Sequence, residues 1–396
     1  MRLFDDLHKV LACGSAAVVI SLDISAAFDT IDHQMLLSRL ELNFGVTGVA
    51  LNWFQSYLSD RSQAVYIGQT SSSIFPLTCG IPQGSVLGPV LFSLYTSPLA
   101  NVIKNCEATP SAYADDVNIA SSIDPRSTNC CAAEMATTDV SQWYRNNGMM
   151  LNAAKSEALL VGTRHQLAKF SRPITVRVDN QPIQCKNNLT TLGVVVDSEL
   201  SLADRINSLV SSCNYHLRAF RRLRPMMSSE LSETVGRAIV LSRLDYCNAL
   251  LYGIPESQLD RLQRIQNQCA RIIATPKPRE DVKPALASLH WLPVRERIEF
   301  KVASLTYSAL HDSSCSYLTE LLTKPAVAAR SLRSSDDCHR LIVPRTKTKF
   351  QDRPFSVSAP TVWNSLPTVI RASESMLSFK PLLKTYLYNR VYASDM

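Results

Sequence analysis

Two aspartates, Asp115 and Asp116, stand side by side in AYADDVNIA, Ala112 to Ala120, a segment with no other charge and the look of a strand. A strand buries alternate side chains, and an unpaired carboxylate is expensive to bury, so the pair demands a turn, a cation or both. A third carboxylate, Asp23, ends the apolar run VVISLD far upstream. Two such segments in one sheet would gather three acids around divalent ions. Magnesium is the natural choice, because it takes oxygen ligands and bridges substrate phosphates through one or two carboxylates. A lone DD pair is otherwise a solvated turn or a helix cap, so the rest of the chain decides.

The 396 residues, 46% hydrophobic and 19% charged, suit a folded chain of two or three domains. Eleven scattered cysteines, without a CxxC pair and with one adjacent pair, Cys130 and Cys131, indicate neither a zinc finger nor a disulfide framework, and reduced thiols are expected. The apolar run Ala16 to Leu22 is short, lacks a basic flank and ends in aspartate, unlike a secretory signal. The uncharged stretch Ser85 to Ile103 contains Pro89, Pro98 and Asn101, which favours one buried helix over a membrane span. An intracellular protein of cytoplasm or nucleus, with no membrane partner, is expected. Residues 1–200 hold 13 Lys and Arg against 17 Asp and Glu, and the remainder 28 against 17. An acidic front with a basic back suits a metal-binding region joined to a polyanion-holding one, and equally an unevenly charged surface.

Along the chain, VVISLD reads as a buried strand. An amphipathic segment with Met35, Leu36, Leu37 and Leu40 follows, then a helix over Val49 to Leu58 and a hairpin from Gln63 to Cys79 around Gly68 and Gln69. GIPQGSVLGP is a punctuated turn. Ser127 to Asn147 has helical spacing with Gly148 as its stop, Leu151 to Gly162 reads as turn and strand, and Ile174 to Val178 and Leu192 to Val196 add strands. Without a glycine-rich phosphate loop, this alternation favours an α+β sheet domain. From Leu202 the pattern turns helical: Ile206, Leu209, Cys213, Leu217 and Phe220 in one helix, a second over Leu231 to Leu251, and a third with Leu259, Leu262, Ile265, Cys269 and Ile272. Arg218, Arg221, Arg222, Arg224, Arg261, Arg264 and Arg271 lie on their polar faces, which can straddle phosphates or simply face water. The tail from Pro276 is proline-punctuated and mixed, with Arg330, Arg333, Arg340, Arg345, Lys347 and Lys349 in a loop-rich stretch.

Taken in order, these segments resemble the palm of reverse transcriptases from non-LTR retrotransposons. VVISLDISAAFDTIDH resembles motif A, CGIPQGSVLGPVLF motif B, AYADDVNIA motif C, LNAAKSEALLVG motif D, and TLGVVVD the motif E primer grip. LSRLDYCNALLYGIP and FSVSAPTVWNSLPTVIR resemble the thumb and C-terminal region of jockey- or CR1-like LINE proteins. The resemblance implies a right-hand polymerase: palm over residues 1–200 with residual fingers elements, helical thumb over 201–275, and a LINE-type region over 276–396.

It also implies roles. Asp23 and Asp115 would be the principal ligands of two magnesium ions, or of manganese in their place, with Asp116 as third carboxylate and the Ile24 carbonyl as a further oxygen. Phe28 matches the aromatic steric gate against a 2′-hydroxyl. Gln83 and Gly84 match motif B residues that contact nucleotide and template, glycine permitting close backbone approach. Lys155 matches the motif D lysine that protonates the leaving pyrophosphate. Tyr113 would pack near the primer end, supported by Leu192 and Gly193. RNA template, DNA primer and dNTPs are the implied partners; protein partners are not indicated.

Only about twenty residues precede Asp23, too few for the fingers and endonuclease of this family, so an N-terminally truncated copy is expected. Three readings result: an RNA-directed DNA polymerase, a catalytically inactive nucleic-acid-binding remnant, and a metal-dependent nuclease. The nuclease gives no reason for GIPQG or the Phe28 gate.

Overall fold

The computed structural model describes residues 1–124, 130–170, 172–274, 280–312, 316–325 and 339–393. The chain divides into two compact units. One holds Cys13–Gly193 with Asp197–Leu200, and the other holds Met1–Ala12, Val194–Val196 and Ser201–Met396.

The first unit is built on an antiparallel sheet. Its central strand, Ala16–Leu22, is uncharged and almost wholly buried, as a strand covered on both faces must be. It pairs with Glu157–Val161 on one side, Val19 opposite Leu159, and with Asp116–Ile123 on the other, Leu22 opposite Val117. Thr109–Tyr113 completes the sheet beyond Asp116–Ile123. Val18, Ile20, Leu22 and Ile119 join Phe92, Tyr95 and Tyr144 in the core.

The helix His33–Phe44 starts where the Asp32 carboxylate accepts the Met35 N–H at 2.7 Å, and stops at Gly45 in the left-handed region, φ 66°. Arg39 from this helix donates to the Tyr95 carbonyl and to Asn147, and the Tyr95 hydroxyl donates to the Asn147 carbonyl at 2.8 Å.

Several expectations hold in this unit. Gly48–Leu58 is a helix, and the hairpin pairs Arg61–Gln63 with Phe75–Leu77 and Tyr66–Ile67 with Thr70–Ser71. Three need correction. The uncharged stretch is two helices, Gly88–Thr96 and Leu99–Lys104, broken before Pro98, whose nitrogen cannot donate to the helix. The helix before Gly148 runs Cys131–Asn146, while Ser127 to Asn129 lie outside the described residues. The last strand begins at Val194, because Leu192 at φ 48° and Gly193 at φ 71° form a left-handed turn that no strand accommodates.

The second unit is helical. Ala203–Leu223 buries Ile206, Cys213, Leu217 and Phe220, and Glu256–Ala274 buries Leu259, Leu262, Ile265, Cys269 and Ile272, as their spacing predicts. The helix expected over Leu231 to Leu251 is segmented. Ser229–Gly236, a π-helical turn Arg237–Leu241 and Ser242–Asp245 precede a break at Cys247, φ 53°, and a 3-10 turn Asn248–Leu251.

The tail is more helical than its prolines suggested, with Val294–His311, Phe355–Ser365 and Met376–Tyr392. The Tyr307 and Trp363 rings lie 4.5 and 5.8 Å from that of Phe379, and this aromatic packing outweighs the helix-breaking tendency of Pro360 and Pro381. Arg330 and Arg333 lie outside the described residues.

The N-terminal helix Arg2–Ala12 belongs to this second unit. Its fully buried Asp5 accepts the Ser356 N–H at 2.8 Å and pairs with Lys9 at 2.9 Å. Asp5 thereby supplies the helix Phe355–Ser365 with the capping acceptor that Pro354 cannot provide. Among the described residues no helix is long and apolar enough to cross a membrane.

Candidate active site

Strand register brings the distant acids together. Leu22 lies opposite Val117, so Asp23 falls next to Asp116 one step further along the ladder. Tyr113 pairs with Asp116 across a turn of only two residues, Ala114 and Asp115. Ala114 sits at φ 51°, where an L side chain is strained, so this tight turn is held by its sheet rather than by local preference.

The backbone of Asp23 is fixed from the motif D side. Its N–H donates to Ser156 Oγ at 3.2 Å, and its carbonyl accepts the Asn152 N–H at 2.8 Å. Ile24 pairs with Leu151 in a short ladder beside this turn. Lys155 is exposed in the same turn, with its N–H donating to the Asn152 carbonyl at 3.1 Å.

Motif B is sewn to the loop after Asp23. Ile81 donates to the Phe28 carbonyl and Gly80 to the Ile31 carbonyl, each at 2.8 Å, and His33 Nε2 bonds the Gly80 carbonyl at 2.8 Å. Gly80 has to be glycine: at φ 88° its missing Cβ would stand 2.8 Å from the Asp29 carbonyl oxygen. Phe28 is half-buried with its ring 5.0 Å from that of Phe92. Gln83 and Gly84 are exposed, and Gly84, at φ 78°, has open space on its Cβ side.

Tyr113 is 68% exposed, and Leu192 is 42% exposed in its left-handed turn. The adjoining Thr191 accepts a 3.0 Å hydrogen bond from the buried Asn118 side chain, which ties the TLG turn to the motif C strand. Sequence reasoning gave no role to Asn118, Ser156 and Asn152, uncharged residues within the motif C and motif D segments. Tyr144, legible in the sequence only as part of a helix, is fully buried with its hydroxyl unpartnered among the described residues. Burial, and then the Asp115 charge, push that phenol well above its usual range.

Electrostatics separate this site from an ordinary turn. Partial burial, with the Asp115 and Asp23 charges, raises the Asp116 carboxyl above the usual range. No described Lys, Arg or His forms an ion pair with these acids. Among the described residues no group of three or more His, Cys, Asp and Glu converges as a ready metal site. An all-oxygen donor set under mutual repulsion fits a hard divalent ion.

Residues 1–196 match the family described as reverse transcriptase (RNA-dependent DNA polymerase). This segment belongs to the reverse transcriptases.

Its relatives include a probable RNA-directed DNA polymerase from transposon BS of Drosophila melanogaster, 27% identical over 69% of this chain and 30% of its own length. The RNA-directed DNA polymerase from mobile element jockey of the same organism is 26% identical, over 65% of this chain and 28% of its own. The chain therefore spans less than a third of these relatives, which are polymerases of non-LTR retrotransposons. Apo telomerase from Candida tropicalis, truncated from its C-terminal domain, is similar in structure with a TM-score of 0.37 and 12% identity, over 49% of this chain and 37% of that one. Reverse transcriptases generally use divalent metals.

Outside the reverse transcriptase domain, the basic helices divide by role. Arg218, Arg221 and Arg222 are exposed at the end of Ala203–Leu223, as are Arg264 and Arg271 on Glu256–Ala274. Arg224 is engaged elsewhere. It donates to the Ile272 and Ile273 carbonyls, both at 3.1 Å, and to Met227 at 2.9 Å, closing the end of Glu256–Ala274. Arg261 bonds Gln258 and Asn207, each at 2.8 Å.

Proposed function

We propose that this chain carries the polymerase centre of a non-LTR retrotransposon reverse transcriptase, extending a primer 3′-hydroxyl with dNTPs on an RNA template. The observation that carries this reading is the register setting Asp23 beside the Asp115 and Asp116 turn. Residues 1–200 then act as palm with fingers elements, 201–275 as thumb and 276–396 as a LINE-type C-terminal region.

Asp23, Asp115, Asp116 and the Ile24 carbonyl would hold two magnesium ions. Such ions supply a lowered pKa at the primer hydroxyl and neutralise charge on the leaving pyrophosphate. The protein does the rest. Asn152 and Ser156 fix the backbone at Asp23, so its carboxylate is set before substrate arrives. Phe28, braced on Phe92, closes the space beneath the sugar, and Gln83 and Gly84 face the nucleotide and template. The Lys155 ammonium gives its proton to the departing phosphate oxygen. Arg218, Arg221 and Arg222 meet the phosphates of the duplex, and Tyr113 packs at the primer end.

Primer extension by the purified chain on an RNA template with magnesium tests this reading beside Asp115→Asn. We expect the substitution to cost roughly a thousandfold or more in rate with template binding unchanged. A wild-type chain that binds template yet extends no primer would leave the nucleic-acid-binding remnant as the answer.

A further inference from the structure

We propose that Asp29 is a positioning residue that fixes which end of the Gln83 amide the incoming nucleotide meets. The inference rests on the reading of Gln83 as a nucleotide contact.

Gln83 Nε2 lies 3.0 and 3.2 Å from the two Asp29 carboxylate oxygens. The two ends of an amide have nearly the same shape, but a carboxylate only accepts hydrogen bonds, so chemistry alone turns the NH2 end toward Asp29. The carbonyl end, Oε1, is left outward. Motif B therefore offers the nucleotide an acceptor, suited to a hydroxyl or amino donor. Without Asp29 the amide could present either end, and part of its population would face the ligand with donor against donor.

Asp29 is built to hold still. Its N–H donates to the Ala26 carbonyl at 2.9 Å, and its own carbonyl accepts the Cys79 thiol at 3.3 Å. Gly80 packs so closely on it that a Cβ there would stand 3.0 Å from Asp29 Cα. The preceding residue is the Phe28 gate, whose carbonyl takes the Ile81 N–H. Gate, clamp and amide thus share one seam of backbone. Among the described residues the Asp29 carboxylate has no cation partner, and Gln83 is its only side-chain hydrogen-bond donor.

The test uses the full chain with selectively 15N-labelled glutamine, the Gln83 side-chain signal being assigned by its loss in Gln83→Glu. Asp29→Ala is expected to shift that signal and speed its hydrogen exchange while other glutamine side chains stay put. An unmoved signal overturns the clamp whether or not the chain polymerises, and a silent primer-extension assay overturns only the polymerase reading.

In an active chain, Asp29→Ala should raise the KM for dNTP about tenfold with kcat changed less than about threefold. Gln83→Glu alone sets two carboxylates face to face and should be worse. Combining it with Asp29→Asn lets the new amide at position 29 donate to the new carboxylate at position 83, which keeps an acceptor outward, so KM should recover. Failure of this exchange to recover KM would reduce Asp29 to a structural role and overturn the proposal.

Discussion

In the helical unit, acids at packed positions have cations. Asp245 takes Arg297, with Nε at 2.8 Å; Glu296 and Glu299 share Arg390; and buried Asp5 takes Lys9. In the sheet unit the ion pairs Arg145 with Asp179 and Lys186 with Glu157 lie on other strands and turns, while Asp116 feels the charges of Asp115 and Asp23. Charge in the first region compensates burial. In the second, the Asp115 and Asp23 charges add to partial burial in raising the Asp116 carboxyl, and no described cation pairs with it.

The contrast can be broken by titration and by substitution. The largest effect on stability should come from His8, which burial and the nearby Arg353 charge push down to about 4. An unfolded His8 has the ordinary value near 6.5, so between the two the unfolded chain binds the proton and the folded one does not. The contribution is complete above about pH 6.5 and is lost as pH falls toward 4, on the order of 3 kcal/mol. Urea denaturation of wild type and His8→Phe across that range checks it, and equal pH slopes would contradict it.

Asp245→Ala comes next. It strands a guanidinium that is only 19% exposed, and because the Asp245 side chain is itself 38% exposed, the loss should be about 1–2 kcal/mol. A urea midpoint unchanged from wild type would show that this pair is ornamental.

The smallest effect has the opposite sign. Asp116 has its carboxyl raised, so its ionised form costs stability above the shifted value and costs nothing below the ordinary carboxylate range. Asp116→Asn should stabilise the chain at neutral pH by less than about 1 kcal/mol, since solvent screens an exposed site, and the gain should vanish in acid. Loss of stability at pH 7 would mean the acids are supported by contacts and not strained by charge.

Much of the site was legible in the chain because period-two burial and turn chemistry are local. VVISLD, the AYADD turn and the motif B glycines announced their conformations, and the apolar spacing of Ala203–Leu223 and Glu256–Ala274 announced theirs. Legibility failed where a distant partner overrode a local signal. Pro360 and Pro381, in a tail whose prolines left its structure open, sit in helices packed through Tyr307, Trp363 and Phe379, whereas Pro98 divides a stretch that read as one helix. Arg224 read as a residue of a polar face, for phosphates or for water, yet it is spent on the backbone carbonyls of another helix.

The sequence by itself determined the residue types and their order: three acids, a gate, a glycine-rich turn and a lysine, and with them the family of residues 1–196. Tertiary structure alone decided the pairing register that puts Asp23 beside Asp116, the bonds from Asn152 and Ser156 that fix it, and the turn of Gln83 toward Asp29. The reason is physical. Periodicity and propensity act between neighbours along the chain, whereas register, hydrogen-bond partnership and the repulsion felt by Asp116 exist only between residues that folding has brought together.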